Sequence, residues 1–507
     1  MNLFSSNLKR NELIKLSKEN NFEIIKINVF RNHSFEPIAS IINAFLAFSK
    51  LKAEFNISPY DDSLSYENIQ KSNINIIFLD LNNYKSNIND FIREKIKELK
   101  TISKAPLIVL LLGETSLKQY DIFEILKDFL DKNLIIDESS FQISATRLSN
   151  KACIKLAQIL GLSIIPSLLK PNLKAIIVDL DNTLYKGILG EDGIENLILE
   201  KNHIDLQNEL LKLKNEGILL AIASKNDEKD VKALFKTKKD FPLKIDDFSL
   251  IKANWQSKDE NIKEIVNFFN IGFDSVLFID DNIGEIENVK YLGIKTLLAD
   301  DESAISLKLY PCLLKTSFSK EDKLRNEDIK ANLKRIELSK LSQKEYFENL
   351  AINLKFHINY QEELERVYQL LNKTNQFISN YSRMTLQECK IFMQKNAILT
   401  INMSDRLSDS GIIAIFVAYK ENNDLIIKDL CISCRALGRK LEKIMFFKAI
   451  SLLKDYFNTK DTLLYFQKGE RNEPFLSFLH SLKTNIKDNI AFIYEENIDY
   501  EGLIIES

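Results

Sequence analysis

The sequence predicts an α/β protein: a central parallel, Rossmann-like sheet without a large cap, flanked by a doubly wound α/β domain before it and another α/β domain after it. Three observations carry this expectation. Short apolar runs alternate with amphipathic stretches through most of the chain, which is the pattern of βα units. Two of those runs, Ala175–Val178 and Ser275–Ile279, lead into carboxylate groups, Asp179 with Asp181 and Asp280 with Asp281. Strand ends of this kind are where open α/β sheets collect ligands. A chain of 507 residues is also too long for one ordinary core, and a 45% hydrophobic content can fill two to four of them.

Composition narrows the class further. A net charge of -3, from 69 basic and 72 acidic residues, gives no electrostatic reason to expect nucleic acid. No basic arm precedes an apolar run and no 18-residue apolar stretch stands out, so neither a signal peptide nor a membrane span is expected and a cytoplasmic location is. Cys153, Cys312, Cys389, Cys431 and Cys434 are odd in number and scattered, which fits reduced thiols. Cys431 and Cys434 form a C-x-x-C without a second pair or a histidine at zinc spacing, so a metal knuckle is not expected.

Residues 1–167 read as the first α/β domain. Its candidate strands are Phe22–Val29, Asn75–Leu81 and Pro106–Leu112, and its candidate helices Pro37–Ser49, Ile88–Leu99 and Tyr120–Asp131. His33 is its only histidine, and no Gly-x-Ser-x-Gly turn occurs, so a structural or docking role is expected. A helix over about Ser144–Leu160 then leads through Pro166 and Pro171 into a second domain, 168–315.

Within that domain Asp179 is a candidate nucleophile and Asp181 a candidate acid for the leaving oxygen, a pairing that needs a divalent cation to neutralise charge. Gly187, Gly190 and Gly193 follow closely, in a chain with only 13 glycines, and suggest a tight hairpin or flap. The apolar strand Ile218–Ala223 ends at Ser224, Lys258 precedes a helix, and Asp280-Asp281 close the next apolar strand. Each has a plain alternative: Asx turn, helix cap, solvated lysine, turn. Together, in this order, they have the layout of crossovers converging on one phosphate.

Asp179-x-Asp181-x-Thr183, Ser224, Lys258 and Asp280-Asp281 resemble the four motifs of the haloacid dehalogenase (HAD) superfamily of phosphotransferases. Asp-Leu-Asp-Asn-Thr-Leu, Gly190-Glu-Asp-Gly193, Ala223-Ser-Lys-Asn-Asp227 and Ile279-Asp-Asp-Asn282 more narrowly resemble its FkbH-like group, subfamily III C. That resemblance implies Asp179 as nucleophile and Mg²⁺ ligand, and Asp181 as general acid and base with its carbonyl on the metal. It also implies Thr183, Ser224 and Lys258 as phosphate-binding, Asp280 as a metal ligand and Asp281 as the group orienting metal-bound water. Members of the group load acyl units from phosphorylated acyl donors onto acyl carrier proteins, and the first domain would be SGNH-like. Tyr185-Lys186 departs from the group's usual Trp-Gly.

Only residues 184–223 separate Thr183 from Ser224, and 225–257 separate Ser224 from Lys258, so neither interval holds a folded cap and the mouth should be open. The charged stretch 316–345 reads as a helical connector. Residues 346–507 form the last domain, with a helix near Glu362–Lys373, strands Ile398–Asp405, Gly411–Tyr419 and Leu425–Cys431, a helix from Gly438, and a closing strand Asn489–Tyr494.

Cys434-Arg435-Ala-Leu-Gly438-Arg439-Lys440 joins the last of those strands to the helix and can offer amides to a pyrophosphate. It resembles the pyrophosphate loop of the GNAT acetyltransferase fold. The resemblance implies acyl-CoA or carrier-borne phosphopantetheine at Arg435, Gly438 and Arg439, with Lys440 in place of the usual small residue. A surface basic patch is the alternative. Cys434 is a candidate acyl acceptor, because a helix start beside two arginines lowers a thiol pKa. The whole reads as a Mg²⁺-dependent HAD-type phosphatase or acyl-phosphate transferase with a GNAT-like acyltransferase domain. A plain phosphatase and a non-catalytic carrier-protein docking scaffold are the alternatives.

Overall fold

The computed structural model describes residues 2–18, 22–66, 69–84, 89–113, 137–315, 329, 331, 332, 335, 338, 341–433, 436–469 and 471–506. The chain forms two compact units. The first comprises Met1–Leu173, Glu200–Glu209 and Ala299–Ser317; the second comprises Lys174–Leu199, Leu210–Leu298 and Phe318–Ser507.

The first unit is built on a four-stranded parallel sheet: β1 (Glu23–Arg31), β2 (Leu51–Tyr60), β3 (Ile74–Asp80) and β4 (Leu107–Leu112), in the order β2-β1-β3-β4. This is the doubly wound arrangement expected, with one strand the sequence pattern concealed. β2 is an edge strand that buries only Leu51 and Ala53 on its inner side, so it lacks the continuous apolar run of β3 and β4. Helix Glu36–Leu46 and helix Asn89–Ile102 stand near the expected positions, and Tyr120–Asp131 lies outside the described residues.

The helix expected over Ser144–Leu160 is displaced. Glu138–Ser144 is a short helix of its own that ends at Ala145 in the left-handed region. A new helix then starts at Asn150, where Ser149 Oγ accepts from the amide of Ala152 at 3.1 Å. It runs on to Leu169 because a π-helical turn over Ile159–Ile164 precedes Pro166, placing the proline where its missing N–H costs no regular bond. This helix passes the length and composition test for a bilayer span, which the sequence reading did not anticipate, and most of it is buried within the protein.

In the second unit β5 (Ala175–Val178), β6 (Leu219–Ser224), β7 (Leu250–Ala253), β8 (Val276–Asp280) and β9 (Lys295–Leu298) make a parallel sheet in the order β7-β6-β5-β8-β9. The strand order reverses between β5 and β8, which makes their carboxyl ends the switch point of a Rossmann-like sheet. β5 and β6 are buried throughout and β8 likewise, so residues just beyond them are held by rigid mounts. Helix Lys258–Phe269 packs Ile262, Ile265, Val266 and Phe269 into the core beneath. No folded cap interrupts 184–223 or 225–257.

The same unit carries an eight-stranded mixed sheet. Its strands are β10 (Asn353–Ile358), β11 (Ala397–Ser404), β12 (Asp409–Glu421), β13 (Asp424–Ile432), β14 (Asp461–Tyr465), β15 (Thr484–Lys487), β16 (Ile490–Ile493) and β17 (Ile504–Glu506), in the order β15-β16-β14-β13-β12-β11-β10-β17. β10 to β13 are antiparallel neighbours, whereas β13 and β14 run parallel from Asp424↔Asp461 only to Ile427↔Leu464. Beyond that register the segment Phe377–Ser379 enters the gap. Ser379 N donates to Leu430 O at 2.8 Å, Ile432 N to Phe377 O at 2.9 Å and Gln467 N to Ser379 O at 2.8 Å. Helix Glu442–Phe457 begins four residues later than the sequence suggests, because Gly438 has φ 77° and Lys440 φ 61°, both outside the helical region.

Candidate active site

β5 stops at Val178, and the chain turns back on itself through Asn182, which takes φ 53° and whose Oδ1 accepts from Gly187 N at 3.0 Å. Asparagine tolerates that region better than most residues. An antiparallel bridge between Lys186 and Ile198 closes the flap. Gly187 has φ 115°, and a Cβ there would lie 2.9 Å from both Asp192 Oδ2 and Leu197 Cδ2, so this glycine is required. Gly193 also has positive φ, whereas Gly190 has open space around it and no such need.

The turn leaves Asp179 at the end of β5, beside Asp280 at the end of β8. Between them lies the Lys258 ammonium, 2.5 Å from Asp179 Oδ1 and 3.1 Å from Asp280 Oδ2. It also donates to the carbonyl of Ala223 at 2.7 Å. Lys258 is only 3% exposed, which rules out a solvated surface lysine. Oxygens of Asp179, Asp280 and Asp281 lie within 4.8 Å of one another. Burial pushes the Asp280 carboxyl up to about 6, against the pull of Lys258 and with the charge of Asp179 adding to the rise. Burial first, then Asp179, raises Asp281 as well.

Three carboxylates facing one ammonium leave an excess of negative charge in a largely buried place. Asp179 Oδ1 and Asp280 Oδ2 are buried, each in ion-pair contact with Lys258 and without a further hydrogen bond. An all-oxygen set of three carboxylates against a single ammonium is the donor chemistry of a hard divalent cation such as Mg²⁺. Asp179, Asp280 and Asp281 fit that group.

The Asp181 side chain stands apart from this cluster. Its Oδ1 accepts from Tyr185 Oη at 2.6 Å and from Leu189 N at 3.0 Å, and its Oδ2 from Asn226 Nδ2 at 2.8 Å. Asn226 Nδ2 also donates to Ser224 Oγ at 3.1 Å, tying Asp181 to the end of β6. Tyr185 is fully buried, and burial next to Asp181 keeps its phenol protonated far above the ordinary range. Thr183 Oγ1 is buried with no partner, and Ser224 is buried at the strand end. The four sequence motifs therefore meet at the carboxyl end of one sheet. Sequence reasoning did not assign Asn226 or Tyr185 to the site. Their signal was position alone, two residues after Ser224 and four after Asp181.

The second expected site is less coherent. Cys434 and Arg435 lie outside the described residues. Arg439 is not on a surface patch: it is 5% exposed, with its NH1 3.2 Å from Ser410 Oγ and 3.9 Å from the Asp405 carboxylate. Gly438 N donates to Glu442 Oε1 at 2.6 Å, so that amide is engaged within the chain. Gly438, Arg439 and Lys440 do border an open cavity of about 850 Å³, together with Phe377 and Phe478.

No family model matches the chain, and no curated protein matches it. Solved structures do. One is the N-terminal part of a Bacteroides fragilis protein containing a phosphatase domain complexed with Mg, at 21% identity and TM-score 0.49, covering 61% of this chain and 100% of that one. A HAD-superfamily hydrolase, subfamily IA, variant 1, from Geobacter sulfurreducens matches at 13% identity and TM-score 0.20, covering 25% of this chain and 89% of its own. A predicted HAD-like family hydrolase from Porphyromonas gingivalis matches at 15% and 0.19, covering 25% and 92%.

Proposed function

We propose that the second unit is a HAD-type, Mg²⁺-dependent phosphatase or phosphotransferase. One observation carries this reading: Asp179, Asp280 and Asp281 converge at the sheet's switch point, with the buried Lys258 ammonium 2.5 Å from Asp179. In this reading Asp179 attacks phosphorus, forming an acyl phosphate as the bond to the leaving oxygen breaks. Asp181 gives that oxygen its proton. Asp181 then takes a proton from water, whose oxygen attacks the same phosphorus and frees Asp179 and phosphate. Lys258 offsets charge on the transferring group, and Thr183 and Ser224 offer hydroxyl donors to its oxygens. A cation held by Asp179, Asp280 and Asp281, with the Asp181 carbonyl, would neutralise phosphate charge. Tyr185, Leu189 N and Asn226 fix the Asp181 carboxylate in place.

The finer reading is loading of an acyl unit, glyceryl or similar, from a phosphorylated donor onto an acyl carrier protein or CoA thiol by a cytoplasmic enzyme of FkbH-like type. The capless mouth supports it, since a carrier-borne substrate needs an open approach. The parallel β13–β14 pair and the cavity at Gly438–Lys440 support a GNAT-like domain. Against a pantetheine arm between those strands stands the Phe377–Ser379 segment that occupies the gap. Incubation with Mg²⁺, a phosphoacyl donor and a carrier protein separates the readings. Phosphate release abolished by Asp179→Asn supports the phosphatase, acyl mass gain on the carrier supports loading, and neither leaves a docking scaffold.

A further inference from the structure

Trp255 is the only tryptophan in the chain, and it is 73% exposed. It sits on the loop between β7 and helix Lys258–Phe269, three residues before the lysine that contacts Asp179 and Asp280. That loop is firmly tied. Asn254 N donates to the carbonyl of Ser224 at 3.1 Å, and Gln256 N to Asn254 Oδ1 at 3.0 Å. The side chains of Asn254 and Asn261 exchange hydrogen bonds at 3.0 and 2.9 Å. On the far side of the turn Asp259 accepts from Ser257 Oγ, Tyr291 Oη and Lys263 Nζ at 2.5, 2.5 and 2.9 Å. An indole on so constrained a backbone loses little freedom when it binds something.

Two further apolar side chains are exposed beyond the carboxyl ends of β5 and β8, Ile188 in a loop and Ile283 at the first position of helix Ile283–Val289. Ile188 is in the flap after β5, and Ile283 follows Asp280-Asp281-Asn282 after β8. Single exposed apolar residues are ordinary. Three, one of them a tryptophan, on the segments that follow β5 and β8 and precede Lys258, stand next in sequence to the phosphate and metal candidates.

We propose that Trp255 is a specificity-determining residue that stacks on the organic part of the phosphorylated substrate. The preferred substrates are then phosphate esters or acyl phosphates bearing a planar or apolar group next to phosphorus. This rests on the phosphotransferase reading above for the position of the phosphoryl group. It goes beyond that reading in naming what is attached to it.

A single tryptophan makes its emission a report on this side chain alone. Phenyl phosphate titrated into the Asp179→Asn variant with Mg²⁺ should change that emission saturably, while inorganic phosphate should leave it nearly unchanged. In turnover, Trp255→Ala should lower the ratio of kcat/KM for phenyl phosphate over acetyl phosphate at least fivefold, chiefly through KM, with Trp255→Phe recovering part of it. An unaltered ratio overturns the proposal. So does unchanged emission while calorimetry shows phenyl phosphate bound, or emission that responds only to a carrier protein. If the parent hydrolyses neither phosphate, the phosphotransferase reading falls, and the emission titration by itself decides the contact at Trp255.

Discussion

Replacing Lys258 by methionine removes one charge from the centre of the site while keeping the length of the stem. The ammonium is in contact with Asp179 and Asp280, whose side chains are 11% and 1% exposed. Taking away one partner of a buried ion pair costs about 3–5 kcal/mol, because the charges left behind have neither water nor a counter-ion. Two carboxylate oxygens up to 4.8 Å apart then face each other, and at an effective dielectric of about 20 their repulsion is of the same order. Metal-free Lys258→Met should therefore lose about 3–5 kcal/mol of local stability at pH 7. Added Mg²⁺ should return more stability to the variant than to the parent, because it supplies the missing positive charge; a hundredfold excess over Kd is worth about 2.7 kcal/mol. The assay is hydrogen exchange of the amides of helix Lys258–Phe269 across a urea series, with and without Mg²⁺. A local probe is needed because a chain of two units does not unfold in one step. Equal metal-free opening free energies, or equal Mg²⁺ stabilisation of both proteins, would refute the reasoning.

Tyr185→Phe removes a 2.6 Å hydrogen bond to the Asp181 carboxylate, which should cost about 1.5–3 kcal/mol of stability and lower kcat about tenfold with little change in KM; steady-state kinetics beside a urea midpoint check it. Asp405→Ala leaves Arg335, paired to it at 2.7 Å, and Arg439 buried without their shared carboxylate. A loss of about 3–5 kcal/mol should appear as a lower thermal midpoint, and a wild-type midpoint would remove Asp405 from that role. In the first unit burial lowers the His33 imidazole to about 4, so folding favours its neutral form. Its contribution is intact above the unfolded value of about 6.5 and is lost as pH falls toward 4, by up to about 3 kcal/mol. Urea midpoints at several pH values should fall less steeply for His33→Asn, and parallel curves would contradict this.

The candidate site was legible because its parts are local. Asp179, Ser224 and Asp280 each terminate an apolar run, and Lys258 opens a helix, so strand and helix ends could be read from nearest neighbours in sequence. The partners that define their environment are not local. Asn226 acquires meaning only when β5 and β6 lie side by side, and Tyr185, though four residues from Asp181, meets it only through the turn at Asn182. Arg439 could be read as a pyrophosphate contact or as part of a surface patch because nothing nearby in sequence shows that Ser410 and Asp405 will enclose it. The Phe377–Ser379 segment between β13 and β14 was invisible for the same reason: its hydrogen bonds reach residues 430, 432 and 467. β2 escaped because an edge strand needs little apolar pattern, and the π turn before Pro166 carried the helix past a residue that ordinarily stops one.

The central claim is that Asp179 takes up a phosphoryl group. Acid quenching of the protein during turnover of acetyl phosphate with Mg²⁺, followed by intact-mass and peptide measurement, addresses it most directly. The account predicts a gain of one phosphoryl group on the peptide holding Asp179, removed by hydroxylamine and absent from Asp179→Asn. Phosphate release with that peptide unmodified, or modification surviving in Asp179→Asn, would contradict it.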